Sequence, residues 1–335
     1  MRPYRFIALA IVSMAACLSL TTSSARAQKE ESKQVKLADG FVAEYDVRYV
    51  PGGDDSQALD IYYPEKPAEN PQPLLVWIHG GGWQGGSKSQ PPYTDQLKRG
   101  YIVASVEYRF SQKALFPAQI QDCQAAIRWL RANAKKYNID PEKIGVGGAS
   151  AGGHLVALLG TSGGKKEFPP IGGNEDQSDR VQAVCDIFGP TDFWNVVKQA
   201  DEDKNIKNVF KWNEGDPYSK LIGGVLGKDK EKCDAVSPVH YVSKDSPPFL
   251  ILHGDRDALV PYAQSVELAD LLKKEGVSVT LQKLPGAGHG GPSFNLPAIR
   301  QLTDAFFDKH LKGVDATIEA LPEDKVTIPA ESPGK

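Results

Sequence analysis

A serine hydroxyl, an imidazole and a carboxylate can together transfer an acyl group, and this chain carries all three in loops that follow strand-like apolar runs. Ser150 stands in Gly148-Ala149-Ser150-Ala151-Gly152, after Ile144-Gly145-Val146 and before the apolar-periodic His154 to Leu159. The spacing predicts a strand, a tight turn and a helix, the context in which a G-x-S-x-G stretch lifts its hydroxyl clear of a sheet. A side chain at Gly148 or Gly152 would crowd that junction, and glycine tolerates unusual backbone angles there. Ser150 would sit at a helix N-terminus, where free N–H groups and the helix dipole favour developing negative charge.

A serine is a weak nucleophile until a base takes its proton, and the base must itself be held. Of six histidines, His289 lies in the glycine-rich Gly286 to Gly291 loop after the last strand-like run, where functional side chains collect. His154 is expected in helix packing, and His253 in a structural hydrogen bond at a strand end. His240 and His310 have no matching partner. The acid comes from His253-Gly254-Asp255-Arg256-Asp257. Asp257 lies further into that loop and is the expected partner of the imidazole, whereas Asp255 is expected to cap local backbone. His79-Gly80-Gly81-Gly82-Trp83 follows another strand-like run, and its glycines would let backbone amides converge on one point. Gly81, Gly82 and Ala151 are the expected oxyanion donors. His79 is expected to brace that loop, and Trp83 either to offer an aromatic face to substrate or to belong to the core.

The elements that must position these residues follow from periodicity. Two alternating runs, Glu44 to Val50 and Ala58 to Tyr63, flank a Pro-Gly-Gly-Asp-Asp turn. From Pro73 onward, apolar runs of strand length alternate with helical patterns, which predicts an α/β fold with a mostly parallel sheet and helices on both faces. Strands are expected at 74–78, 102–107, 143–146, 183–187, 249–252 and 279–284, and helices at 93–99, 117–137, 151–159, 262–274 and 296–311. Residues 163–178 read as a surface loop. The stretch from about 190 to 247 is too long for an ordinary connection and reads as a short cap insertion. Its aromatics Phe193, Trp194, Phe210, Trp212 and Tyr218 would either roof the site or form a cluster of their own. The tail, 313–335, has little periodicity and is expected to be partly disordered.

Arg2 and Arg5, the apolar run from Phe6 to about Leu20 and Ala25-Arg26-Ala27 read as a signal peptide of residues 1–27. The run falls short of the ~20 apolar residues of a spanning helix, so the expectation is a secreted or periplasmic protein with its main domain at 28–312. An oxidising compartment permits a disulfide. Cys123 shares helical spacing with Ile120, Ile127 and Leu130 and reads as a buried thiol, leaving Cys185 and Cys233 as a disulfide candidate or as two free thiols. A net charge of −3 with scattered basic residues gives no footprint for nucleic acid. No Cys/His spacing suggests a metal, and no motif calls for a cofactor.

Taken together, His79 to Trp83, Glu107-Tyr108-Arg109, Gly148 to Leu155, Phe188-Gly189-Pro190-Thr191-Asp192, His253 to Asp257 and Gly288-His289 resemble the α/β-hydrolase superfamily. More narrowly they resemble its esterase/lipase branch, which includes bacterial acetyl-xylan and feruloyl esterases and hormone-sensitive-lipase-like carboxylesterases. The resemblance covers about residues 40–312. It implies Ser150 as nucleophile, His289 as base, Asp257 as acid, the amides of Gly81, Gly82 and Ala151 as oxyanion hole, and an ester substrate. The chain order Ser150, Asp257, His289 is the one this fold uses and differs from chymotrypsin-like and subtilisin-like orders. Glu107 departs from the aspartate that relatives often carry before Tyr-Arg, which puts a local ion pair in question. Two rivals stand beside the esterase: a prolyl-oligopeptidase-like peptidase, disfavoured by the short stretch ahead of Pro73, and a non-catalytic binding protein on a hydrolase scaffold. With the signal peptide, the resemblance implies an exported serine esterase acting on short-acyl or feruloyl esters of plant-type carbohydrate, with a general short-chain carboxylesterase as the neighbouring reading.

Overall fold

A computed structural model describes residues 35–89, 91–206 and 213–327. The expected signal peptide, Phe210 and Trp212 of the cap, and residues 328–335 of the tail lie outside the described residues. Two units partition the chain, Met1–Ala38 and Asp39–Lys335, and every element below belongs to the second.

Eight strands form one sheet in the order β1-β2-β4-β3-β5-β6-β7-β8. They are β1 (Phe41–Arg48), β2 (Ala58–Pro64), β3 (Gln72–Ile78), β4 (Ile102–Val106), β5 (Ile139–Ala149), β6 (Ala183–Ile187), β7 (Phe249–Gly254) and β8 (Val279–Leu284). The β1–β2 hairpin is antiparallel and joins β4 antiparallel, and from β4 to β8 all neighbours run parallel. The central strands are buried on both faces, which is why they read as continuous apolar runs. This is the α/β-hydrolase architecture that the motifs imply.

Helices α1 (Ala118–Ala132), α2 (Ala134–Tyr137), α3 (Ala151–Ser162), α7 (Tyr262–Lys274) and α8 (Pro297–Lys312) cover the sheet; α4 (Val196–Glu202), α5 (Pro217–Ile222) and α6 (Lys230–Val236) belong to the insertion, and α9 (Glu323–Val326) to the tail. The pleat sorts their contacts. A Cβ on Gly145 would strike Leu311 and Phe307 of α8, and one on Gly147 would strike Tyr93. On the opposite face Val184 and Phe249 close on Gly160 of α3. Residues 93–99, expected as a helix, form a 3-10 turn over Thr94–Arg99. The single helix expected over 117–137 breaks at Asn133, whose side-chain amide competes for the Trp129 carbonyl at 2.8 Å.

The cysteines and the tail depart from expectation. Cys185 and Cys233 are both buried and free, so no disulfide joins them. Cys185 lies within β6 against the Tyr93 hydroxyl, and burial pushes its thiol up to about 12, whereas Cys233 sits in α6 of the insertion. The tail as far as residue 327 is packed instead of loose. Thr280 Oγ1 donates to the Ile318 carbonyl at 2.9 Å, Leu321 N donates to Gln282 Oε1 at 2.6 Å, and Val326 is fully buried where α9 meets α8. Low periodicity misled here because side chains of β8, not a helical or strand repeat, hold the segment. Val326→Ala is expected to cost about 2 kcal/mol in urea unfolding, the range for deleting buried methyl groups; no change would mean that the tail is loose in solution.

Candidate active site

The C-terminal ends of β5, β6, β7 and β8 lie side by side, with Ala149 beside Ile187, Ile187 beside Leu252 and Gly254 beside Leu284. Each strand hands the chain to a loop that carries a piece of the site. Ser150 follows β5 with φ 57° and ψ −120°, in the sparsely populated region where a non-glycine residue is strained. Its N–H donates to the Ile187 carbonyl at 2.9 Å, and its own carbonyl accepts from His154 N at 2.9 Å. The flanking glycines are there for close approach. A Cβ on Gly152 would lie 2.1 Å from the Ile78 carbonyl oxygen, and one on Gly148 2.4 Å from that of Gly152. The unusual angles belong to the serine itself.

Asp257 and His289 meet Ser150 as expected from their order in the chain. His289 Nδ1 donates to Asp257 Oδ2 at 2.7 Å, and its Nε2 stands 2.9 Å from Ser150 Oγ. The other oxygen of Asp257 accepts the amides of Leu259 and Val260 at 2.8 and 2.9 Å. Burial alone would raise the Asp257 carboxyl, but hydrogen bonds from His253 and His289 outweigh it and hold the group well below the ordinary carboxylate range. The acid therefore stays ionised while its imidazole partner changes charge. Asp255 caps backbone, accepting Gly286 N at 2.7 Å, and Arg256 N donates to the Ala287 carbonyl at 2.9 Å. The acid loop and the imidazole loop are thereby stitched together.

The glycine loop runs against the elbow. A Cβ on Gly80 would meet the Ala149 carbonyl oxygen at 2.6 Å and Ser150 Cβ at 3.3 Å. Gly81 and Gly82 turn at φ 116° and 60°, angles that glycine adopts without strain. Among the described residues neither amide donates to another backbone group, and the Ala151 amide, first in α3, lacks an intrahelical acceptor. Gly80 sets this loop against Ser150 and Ala151 follows the serine directly, so these three amides are the candidate donors an oxyanion would need. His79 braces the loop: it contacts the Gly80 carbonyl and Glu107 Oε1 at 2.7 Å each and stacks on Tyr108 at 4.6 Å. Glu107, the residue that departs from the aspartate of relatives, spans to His79 through this contact and also accepts Lys88 N at 3.2 Å.

Trp83 is a correction. Its indole is 2% exposed, so it presents no face to a substrate. It packs edge-on against His154 and Tyr218, each 5.3 Å away, and lies 5.6 Å from Phe193. Its Nε1–H donates to His154 Nδ1 at 3.1 Å, and His154 Nε2 donates to the Val236 carbonyl at 2.8 Å. Of the insertion's aromatics, Phe193 and Tyr218 accordingly form a buried cluster at its root. Two neighbours of the site have contacts that their motifs do not announce. Phe188, at φ 45°, sets its ring 4.5 Å from that of His289 and 4.8 Å from Phe294. His253 reaches the triad acid, and the spacing of four between it and Asp257 was its one available sign.

The chain matches the BD-FAE family model over residues 59–272. It is 30% identical to Esterase LipC of Mycobacterium tuberculosis over 251 residues, 72% of this chain and 59% of that protein. The chain spans little more than half the length of the curated relatives it matches. Among solved structures, a truncated carbohydrate esterase from gut microbiota superposes with a TM-score of 0.73 at 32% identity, covering 83% of this chain and all of that one. An acetyl ester-xyloside bifunctional hydrolase from Caldicellulosiruptor lactoaceticus superposes with a TM-score of 0.57 at 26% identity, covering 76% and 87%.

Burial draws His154 down to about 4, which is consistent with a ring nitrogen that must accept from Trp83. The unfolded state then binds a proton that the folded state refuses, so this group's stabilisation is complete above its ordinary value and is lost as pH falls toward 4. Asp186, fully buried and raised by that burial to about 7 despite the Gly189 amide it accepts, acts in the opposite sense. The difference between wild type and variant isolates His154. His154→Leu should narrow its stability deficit by on the order of 2–3 kcal/mol between about pH 7 and about pH 4.5 in denaturant titrations; a deficit independent of pH would contradict a neutral buried ring.

Proposed function

The chain belongs to the BD-FAE family of α/β-hydrolases, and from that premise we propose that it is a serine esterase. The observation that carries this reading is the unbroken relay from Ser150 Oγ through His289 to Asp257, beside a glycine loop with free amides. Ser150 attacks an ester carbonyl while His289 Nε2 takes its proton. The tetrahedral oxyanion is received by the amides of Gly81, Gly82 and Ala151, donors already fixed before the reaction starts. His289 returns the proton to the leaving alcohol, then activates a water that releases the acid and regenerates Ser150. Asp257 holds the imidazole in the tautomer this exchange requires and stabilises its charge.

For substrate we infer a short-acyl or feruloyl ester on plant-type carbohydrate, handled outside the cytoplasm. Support comes from two solved relatives, one described as a carbohydrate esterase and the other as an acetyl ester-xyloside hydrolase. Export rests on the N-terminal segment alone. Selectivity then falls to the insertion between about 190 and 247, because its root packs on the glycine loop through Trp83.

Ser150→Ala should lower turnover of 4-nitrophenyl acetate by ~10⁴-fold or more, the scale for losing a triad nucleophile. Near-full activity would sink the assignment, and ligand binding by an inert wild type would favour the binding-protein alternative. A panel of acetylated xylan, methyl ferulate and 4-nitrophenyl esters should show the highest kcat/KM on the first two or on acetate and butyrate. Equal or faster cleavage of octanoyl and longer esters would overturn the carbohydrate reading.

A further inference from the structure

His253 is the penultimate residue of β7, four residues ahead of Asp257, and both side chains are entirely shielded from solvent. Its Nε2 faces two acceptors, the Val260 carbonyl at 3.1 Å and Asp257 Oδ2 at 3.3 Å. Neither can donate, so Nε2 carries the hydrogen. On the other side of the ring, Nδ1 lies 2.6 Å from Ser265 Oγ, a buried hydroxyl in α7 that can supply a proton to it. The edge of the Tyr262 ring and the Phe188 ring close the remaining sides. Nothing here reaches substrate, and no water has access to the ring. His253 nevertheless addresses the same oxygen of Asp257 that receives His289 Nδ1.

That geometry has a consequence for the triad acid. Oδ1 of Asp257 is fixed by two backbone amides, but backbone leaves Oδ2 free to rotate or to shift along the imidazole. The His253 N–H, bonded to the Val260 carbonyl and 3.3 Å from Oδ2, with its ring anchored at Ser265, limits that freedom and turns the positive end of its dipole toward the carboxylate. We propose that His253 is a positioning residue for the reaction, acting through Asp257 to hold Oδ2 in line with His289, and that Ser265 fixes the His253 tautomer that makes this possible. The relay then has five members, Ser265, His253, Asp257, His289 and Ser150, of which only the last two meet the reacting atoms. This rests on the esterase reading of Ser150, and the controls below keep the two separable.

Glutamine places its amide nitrogen near the position of a histidine Nε2 and can donate there, whereas leucine fills the space and donates nothing. His253→Gln should keep kcat on 4-nitrophenyl acetate within about 5-fold of wild type, and His253→Leu should lose ~10- to 100-fold in kcat with KM little changed, the pattern of an interaction that matters in the transition state and not in substrate binding. A phosphonate ester that labels Ser150 should be taken up more slowly by the leucine variant in the same proportion. A purely structural role predicts the reverse ranking, since leucine suits a buried apolar site better than an amide does; leucine equal to or above glutamine would overturn the proposal. Should His253→Leu fail to fold, Ser265→Ala tests the same chain of contacts from its far end, with an expected kcat loss of about 3- to 10-fold and unchanged KM, and wild-type kcat in that variant would also overturn it. Absence of esterase activity in the wild type would defeat the reading of Ser150 instead.

Discussion

The whole site depends on one strained backbone position. Ser150 occupies a conformation that costs on the order of 1–3 kcal/mol for a residue with a side chain, and two neighbouring strands hold it there. β6 accepts its amide through Ile187, and β3 presses the Ile78 carbonyl against the start of α3 so closely that Gly152 admits no Cβ. The strain is what points the hydroxyl away from the sheet and leaves the first turn of α3 open behind it. Register transmits this outward: with Ile187 fixed beside Ala149 and Leu252 beside Ile187, the loops that bring Asp257 and His289 begin at the same level of the sheet.

Electrostatics follow from the same packing. The carboxylate of Asp257 is buried, which by itself disfavours charge, yet it accepts two amides and the His289 imidazole and has the His253 Nε2 3.3 Å away. Donors in that number reverse the effect of burial, and the result is a negative charge that needs no water to maintain it. The glycine loop is organised by the opposite device. Among the described residues no backbone group accepts the Gly81 and Gly82 amides, while hydrogen bonds of His79 and Trp83 anchor the chain on either side of them.

Much of this was legible in the residues. Continuous apolar runs located the central strands, since strands buried on both faces have no polar side to show, and the glycines at 148, 152, 80 and 81 marked the places where backbones approach too closely for side chains. The order Ser150, Asp257, His289 then selected one histidine and one aspartate from several. What escaped was set by contacts between distant segments. Trp83 has the look of a ligand-facing aromatic until His154 supplies an acceptor for its indole. Elimination leaves Cys185 and Cys233 as either a disulfide candidate or two free thiols, and it is blind to one lying in the sheet and the other in the insertion. His253 read as structural because nothing in its neighbourhood says which carboxylate it will reach. The tail's order is written in Thr280 and Gln282, residues of a strand and not of the tail itself.

The free thiols bear on how such a protein matures. Cys123, Cys185 and Cys233 are all buried and unpaired, so closing this domain requires no oxidant and leaves no bond to be reshuffled. A polypeptide of this kind can reach its final form equally in a reducing or an oxidising lumen. Its exposure to oxidative error is confined to the interval before those three sulfurs are covered, so the speed of core closure sets how long the thiols are at risk.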